Sequence, residues 1–364
     1  MPTLTGPAPT TPVAKKPFIR RHLLDHSQRT RHAVQLAFLA LNAWLGLKFY
    51  LWVRYYETNG QSHYFSRPAG VEGWLPIAGL MNLKYFFATG QIPTVHPAAM
   101  FLFMAFLLMS LVLKKTFCSW LCPIGTLSEF LWKFGRKVLH RNFALPKGLD
   151  LPLRAPKYLL LGFFAFIIGA MSAEALDGFM HAPYALVADV KLLHFFLHLG
   201  ITASVVLVML VFLSVLVQNF WCRYLCPYGA LMGLASMLSP FKIRRDPDAC
   251  IDCGKCARAC PSQLSVDRLV QVRSAECTGC MACVAACSAQ NALQFSLPPW
   301  RNAALTQRWM RRAMPPLAVA AFLACILFGF TTYAKVSGHW QTNLPRAEYR
   351  QLIPAADTLG HPGY

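Results

Sequence analysis

The sequence predicts an all-α integral membrane bundle of about five transmembrane helices, built around two repeated hairpins, with a small cysteine-rich α+β domain inserted on the cytoplasmic side. Three observations predict it. Hydrophobic residues make up 55% of the 364, charged residues only 14%, and mean hydropathy is +0.39, a composition that belongs in lipid. Five apolar runs approach the roughly 20 residues a helix needs to cross about 30 Å of hydrocarbon. The third observation is the placing of the thirteen cysteines, twelve of which fall in spaced motifs.

Residues 1–32 form a polar cytoplasmic tail with no apolar stretch of the kind a cleavable signal peptide needs. The spans are expected at 33–54, 97–113, 157–175, 195–217 and 314–334. Trp44, Tyr50, Trp52, Tyr55 and Tyr56 give the first an aromatic collar, while Lys48 snorkels. Pro97 can begin the second span, and Lys114 with Lys115 end it at an interface. Between these two, Gly73 to Leu83 is apolar but too short and too rich in Gly and Pro to span, so a re-entrant or interfacial segment is expected.

An internal repeat lies in the bundle. An apolar span ends in Cys118-Ser-Trp-Leu-Cys122-Pro123-Ile-Gly125, and 104 residues later another ends in Cys222-Arg-Tyr-Leu-Cys226-Pro227-Tyr-Gly229. Repeats of this kind often place a shared site between the halves of a membrane fold. After the first motif, Leu127, Phe130, Leu131, Phe134 and Val138 face one way while Lys133, Arg136 and Lys137 point to headgroups, as in an interfacial helix. The expected organisation is thus 33–240 for the four-helix membrane region, 241–299 for the inserted domain, 300–335 for a linker and fifth helix, and 336–364 for a periplasmic tail.

Basic residues set the orientation. Residues 1–32, 114–157 and 219–312 hold 27 of the 35 Lys and Arg, so these segments belong inside and the C-terminus outside a bacterial inner membrane. The net charge of +20 then reports insertion topology and contact with anionic lipid, and nucleic acid is excluded as a partner.

The clearest chemistry lies at 250–287. Cys250, Cys253, Cys256 and Cys260 with Pro261 form C-x2-C-x2-C-x3-C-P; Cys277, Cys280, Cys283 and Cys287 repeat the spacing with Ser288 in place of proline. This is the pattern of a two-cluster ferredoxin-like domain, in which three thiolates of one loop reach three irons of a cubane and the fourth comes from the other motif. Cys250, Cys253, Cys256 and Cys287 are expected to hold one [4Fe-4S] cluster and Cys277, Cys280, Cys283 and Cys260 the second. Zinc sites separate their C-x2-C pairs more widely, and disulfides do not suit a reducing cytoplasm.

Cys118 with Cys122, and Cys222 with Cys226, would lie one helical turn apart on a single face. They could converge as a further metal or redox centre, form a redox disulfide, serve as a docking platform, or simply pack. Cys325 is expected to be a packing residue. On the outer side, His96, His194 and His198 could meet a quinone headgroup or ligate haem, and Glu72 beside Arg67 joins them as a candidate.

Arg67-Pro-Ala-Gly-Val-Glu72-Gly-Trp-Leu-Pro76, the paired C-x3-C-P elements and the two-cluster motif together resemble the NapH/MauN family of membrane polyferredoxins and the membrane half of NosR, over about residues 33–300. The resemblance implies an inner-membrane iron-sulfur electron-transfer protein, a quinol dehydrogenase-type component exchanging electrons between a quinone pool or membrane centre and a cytoplasmic or periplasmic redox protein. The chain lacks the flavin domain of NosR, so no flavin is expected. An accessory or regulatory factor for maturing a periplasmic redox enzyme is the other reading; transport has little support, with Glu174 and Asp177 only at a span end.

Overall fold

The computed structural model describes residues 26–143, 145–298 and 313–361. Residues 1–25 of the expected tail, most of the expected linker and residues 362–364 lie outside the described residues.

Helix α1 (Ser27–Glu57) is 31 residues long, about 46 Å at 1.5 Å per residue. A 3-10 turn (Ala69–Trp74) leads to α2 (Pro76–Thr89), which starts on proline and stops at left-handed Gly90. The stretch expected to be re-entrant is therefore the 3-10 turn and the first half of α2, folded back on α3 (Pro97–Leu113). Most of α3 is buried, and it packs against α2, the second repeat and the last long helix. Its 17 residues reach only about 26 Å, which a helix surrounded by protein can tolerate.

After α4 (Pro123–Leu139), the chain forms α5 (Lys147–Leu153), α6 (Ala155–Ala170), α7 (Ala173–Met180), α8 (Pro183–Leu186), α9 (Ala188–Leu197), α10 (Ile201–Leu216) and α11 (Pro227–Ala235). Among the described residues, three helical stretches are long and apolar enough to cross a membrane: Ser27–Glu57, Gly148–Ala170 and Pro316–Val336. The expected span 195–217 is not continuous. It breaks between α9 and α10 with a bend of 81°, because α9 ends at His198 and extended Gly200 starts α10 afresh. The exposed faces of α6 (Leu159, Phe163, Phe166) and α10 (Val205, Val208, Phe212) are apolar, as lipid contact demands.

The inserted domain is closed by antiparallel pairing of β1 (Lys242–Arg245) with β2 (Leu293–Ser296), Lys242 opposite Ser296 and Arg245 opposite Leu293. Inside it are two one-turn helices, α12 (Lys255–Arg258) and α13 (Ala282–Ala285). This domain shares its core with the bundle: one cluster runs from Phe106, Met109 and Leu113 of α3 through Phe117 and Trp120 to Ile243, Val272 and Phe295.

The last long helix, α14 (Pro316–Val336), packs on α1 and α3. The segment beyond it folds back as α15 (Arg346–Leu352), whose Tyr349 sits edge-on to Trp52 at 5.0 Å. Trp52 and Tyr56, expected in an interfacial collar, are buried under it, while Trp44 stays exposed with the Lys48 ammonium 4.6 Å over its ring. Lys114 and Lys115 do not end α3 at an open interface either. Both are buried, at 0% and 3% exposure: the inserted domain covers this end, and Lys114 donates to the Ser274 carbonyl at 3.1 Å.

Candidate functional site

In the inserted domain each C-x2-C-x2-C loop carries left-handed residues at equivalent places: Asp252 and Gly254 in the first, Gly279 and Met281 in the second. Such alternation turns successive backbone N–H groups inward and makes a concavity suited to anionic sulfur. Gly279 is required twice over, because its φ is +61° and an added Cβ would come 2.8 Å from Thr116 Cγ2. The loops interleave. Cys287 lies among Cys250 and Cys253, and Cys256 senses Cys287 and Cys250. Cys260 senses Cys280 and Cys277, and Cys283 senses those three together with Cys256 of the first motif. Burial pushes the Cys260 thiol up to about 12, with Cys280 adding to the effect. These influences bring Cys287 to the first motif and Cys260 to the second, a grouping compatible with iron-sulfur sites completed from the opposite loop.

The C-x3-C segments are π turns, Phe117–Leu121 and Trp221–Leu225, so the expected α-helical one-turn spacing is not what forms. The Cys122 N–H bonds the Phe117 carbonyl at 2.9 Å and the Cys226 N–H the Trp221 carbonyl at 3.0 Å, the i to i+5 pattern common at functional sites. In each repeat proline then opens the next helix, and in the second a glycine N–H caps the sulfur: Gly229 donates to Cys226 Sγ at 3.2 Å. An added Cβ at Gly125 would strike the Cys118 carbonyl oxygen at 2.1 Å.

Cys118, Cys122, Cys222 and Cys226 all line one cavity of about 640 Å³, together with Lys115, Tyr228 and Glu276. Burial pushes the Cys118 thiol up to about 12 and Cys122 to about 11, and raises Cys222 as well. Burial thus favours the neutral thiols of Cys118, Cys122 and Cys222, and a metal would bind by displacing their protons. Among the described residues no three His, Cys, Asp or Glu side chains close up around a single metal ion. Cys325 is exposed on α14, away from this set.

The two cysteine sets are in direct contact. Ser119 Oγ donates to the Thr278 carbonyl at 2.6 Å and Trp120 Nε1 to Gly279 at 3.3 Å, inside the loop from Cys277 to Cys280. From α1, Gln28 donates to the Cys280 carbonyl at 3.0 Å, and Arg31 braces the turn through Ser119 at 3.2 Å and Glu129 at 2.5 Å. Lys133, expected to reach headgroups, binds Glu129 at 2.6 Å instead. The second turn is fixed by Arg223 and Tyr224 on Asp150, at 2.9 and 2.6 Å.

The candidates expected on the outer side divide into two pairs. Glu72 is fully buried, with Arg67 at 2.8 Å, His96 at 3.3 Å and the Thr342 hydroxyl at 2.9 Å, while Arg67 also holds Asp189 at 2.6 Å. His194 bonds Glu57 at 3.0 Å and Asp357 at 2.8 Å, with the His198 ring 5.9 Å away. None of these four lines the large cavity, whereas Arg67 does. Sequence reasoning took Lys115 only as an interfacial residue and passed over Lys157, Glu276, Asp189 and Ser119. The two lysines just before Cys118 were the readable signal for the first; nothing local marks the rest.

A 4Fe-4S binding domain family model matches residues 95–142 and again 199–246, and a 4Fe-4S dicluster domain model matches 242–288. The first match falls on the two repeats at the same 104-residue offset. The chain is 51% identical over 331 residues to the "Putative electron transport protein YccM" of Escherichia coli (strain K12), covering 91% of each. It is 28% identical over 184 residues to the "Ferredoxin-type protein NapH" of the same organism, covering 48% of this chain and 60% of NapH. With the "Methylamine utilization ferredoxin-type protein MauN" of Paracoccus denitrificans it shares 31% identity over 173 residues, covering 46% and 56%. No solved structure matches. With its apolar helices, paired π turns and interleaved cysteine loops, the chain belongs to the membrane ferredoxin-type (polyferredoxin) family of 4Fe-4S proteins.

Proposed function

We propose that this iron-sulfur protein carries electrons between a quinone pool in the bacterial inner membrane and a soluble redox partner, with the inserted domain cytoplasmic and the C-terminal segment periplasmic. Cys250, Cys253, Cys256 and Cys287 hold one [4Fe-4S] cluster; Cys277, Cys280, Cys283 and Cys260 hold the other. Cys118, Cys122, Cys222 and Cys226 hold a third centre at the rim of the bundle. Clusters of this kind supply one-electron chemistry whose potential depends on charge, hydrogen bonds to sulfur and burial.

The observation that carries this reading is the docking of Ser119 and Trp120 on Thr278 and Gly279. It joins the two cysteine sets by a path of covalent bonds and one short hydrogen bond, which conduction needs and separate structural roles do not. The same contact favours conduction over the accessory or regulatory reading. The protein's own residues do the rest: N–H groups steady the sulfurs, buried ion pairs fix both π turns, and Phe38, Leu41, Leu45 and Phe106 give the cavity apolar walls that suit a quinone tail. Glu72, His96, His194 and His198 then organise the outer face at which the pool is met.

The test is iron content and EPR of anaerobically reconstituted protein. The reading predicts more than eight irons and a third signal on reduction, with Cys118→Ser/Cys222→Ser cutting the iron to eight and removing only that signal. Eight irons in both proteins would return these cysteines to packing.

A further inference from the structure

Lys115 is 3% exposed, yet its ammonium donates no hydrogen bond and meets no carboxylate at ion-pair distance among the described residues. It projects into the cavity that the four C-x3-C cysteines line. Its Nζ and Cys226 Sγ both lie 3.5 Å from the point where a Gly229 Cβ would sit, so they are separated by at most twice that distance. The ionisable groups that bear on it are Cys118, Glu276, Cys226 and Cys222. A buried cation with no partner, among four thiols, is costly unless something anionic completes the site.

Behind it stands a second cation. Lys157, fully buried, binds Glu276 at 2.6 Å, and Tyr158 donates to the same oxygen at 3.2 Å. Glu276 directly precedes Cys277. Lys115, Lys157 and Glu276 thus place a net charge of one positive unit between the rim cysteines and the second ferredoxin loop. Lys114 is committed elsewhere, on the Ser274 carbonyl.

We infer that Lys115 is a positioning residue for the rim centre: its charge compensates an anionic, sulfur-ligated cluster held by Cys118, Cys122, Cys222 and Cys226, and with Glu276 it sets that centre's reduction potential. The inference rests on the third-centre reading above. Each added electron makes a thiolate-ligated cluster more negative, so a nearby cation stabilises the reduced form and a nearby anion the oxidised form. The two residues therefore pull the potential in opposite directions.

The test is an EPR-monitored redox titration of the full chain in nanodiscs, with dithionite as the electron donor. Lys115→Met should make the rim centre at least tenfold harder to reduce, a downward shift of about 59 mV or more for a one-electron couple. Lys115→Arg should keep the parent value, and Glu276→Gln should shift the rim centre upward. A scaffolding role would move both variants the same way, or lower iron content without moving the potential, and either result overturns the inference. If Lys115→Met fails to fold, the upward shift in Glu276→Gln decides alone, and its absence counts against the inference. A parent protein with no rim signal sinks the third-centre reading itself, whereas a parent signal that none of these variants shifts sinks only the role of Lys115.

Discussion

Ser119 gives its hydroxyl hydrogen to the backbone carbonyl of Thr278 across 2.6 Å, joining residues 159 positions apart. One lies between the cysteines of the first π turn and the other between two cysteines of the ferredoxin-like loop. Ser119→Ala should cost about 1 kcal/mol of stability and leave iron content intact, while slowing quinol-driven reduction of the ferredoxin signals. Stopped-flow reduction checks this, and an unchanged rate would remove the contact from the electron path.

The glycines of the two Pro-x-Gly turns should respond differently despite identical motifs. A methyl at Gly125 would overlap the Cys118 carbonyl at 2.1 Å, whereas one at Gly229 meets its neighbours at 3.5 Å. Gly125→Ala should therefore cost at least about 2 kcal/mol and lower occupancy of the rim centre, and Gly229→Ala should leave both nearly unchanged. Thermal unfolding and iron assay of the pair read this out.

Cross-ligation gives a third expectation. Cys287→Ser should disturb the signal belonging to the loop of Cys250, Cys253 and Cys256, and Cys260→Ser the signal belonging to Cys277, Cys280 and Cys283. Each should lose at most one cluster, measured by iron content and EPR. Loss of the signal from the residue's own motif would reverse the assignment.

Much of this site was legible in the sequence because iron-sulfur ligation imposes spacing. The 4Fe-4S dicluster region and the repeat of the C-x3-C-P turns could both be read from Cys118 to Cys287. Three of the five expected spans, 33–54, 157–175 and 314–334, overlap helical stretches long and apolar enough to cross a membrane. What spacing does not encode is contact between distant segments. The π turns depend on how Phe117 and Trp221 carbonyls meet N–H groups five residues on. Lys114 and Lys115 read as interfacial because the domain that buries them lies more than a hundred residues away. The bend before α10 was hidden since the run from 195 to 217 is apolar throughout, and apolarity carries no direction.

The outer network predicts an acid response. Burial would raise the Glu72 pKa, but Arg67 and His96 outweigh it and hold it at about 2, against about 4.3 in an unfolded chain. The folded value is depressed, so the stabilisation is complete above about pH 4.3 and is lost as pH falls through 2. His96 has a raised pKa and stays protonated across this window. Asp150 titrates in the same range, so the readout is the difference between parent and Glu72→Gln. The variant should be less stable by about 3 kcal/mol at pH 6, and the gap should narrow towards pH 2. A gap that stays constant would place the role of Glu72 in packing.

The central claim is that electrons pass between the membrane and the ferredoxin-like domain through the rim cysteines. Its most direct test is anaerobic reduction of the ferredoxin EPR signals by a quinol in proteoliposomes, comparing the parent with Cys118→Ser/Cys222→Ser at equal ferredoxin iron. The account predicts rapid reduction in the parent and its loss in the variant, with dithionite still reducing both. Equal quinol-driven rates in the two proteins, or none in the parent, would contradict it.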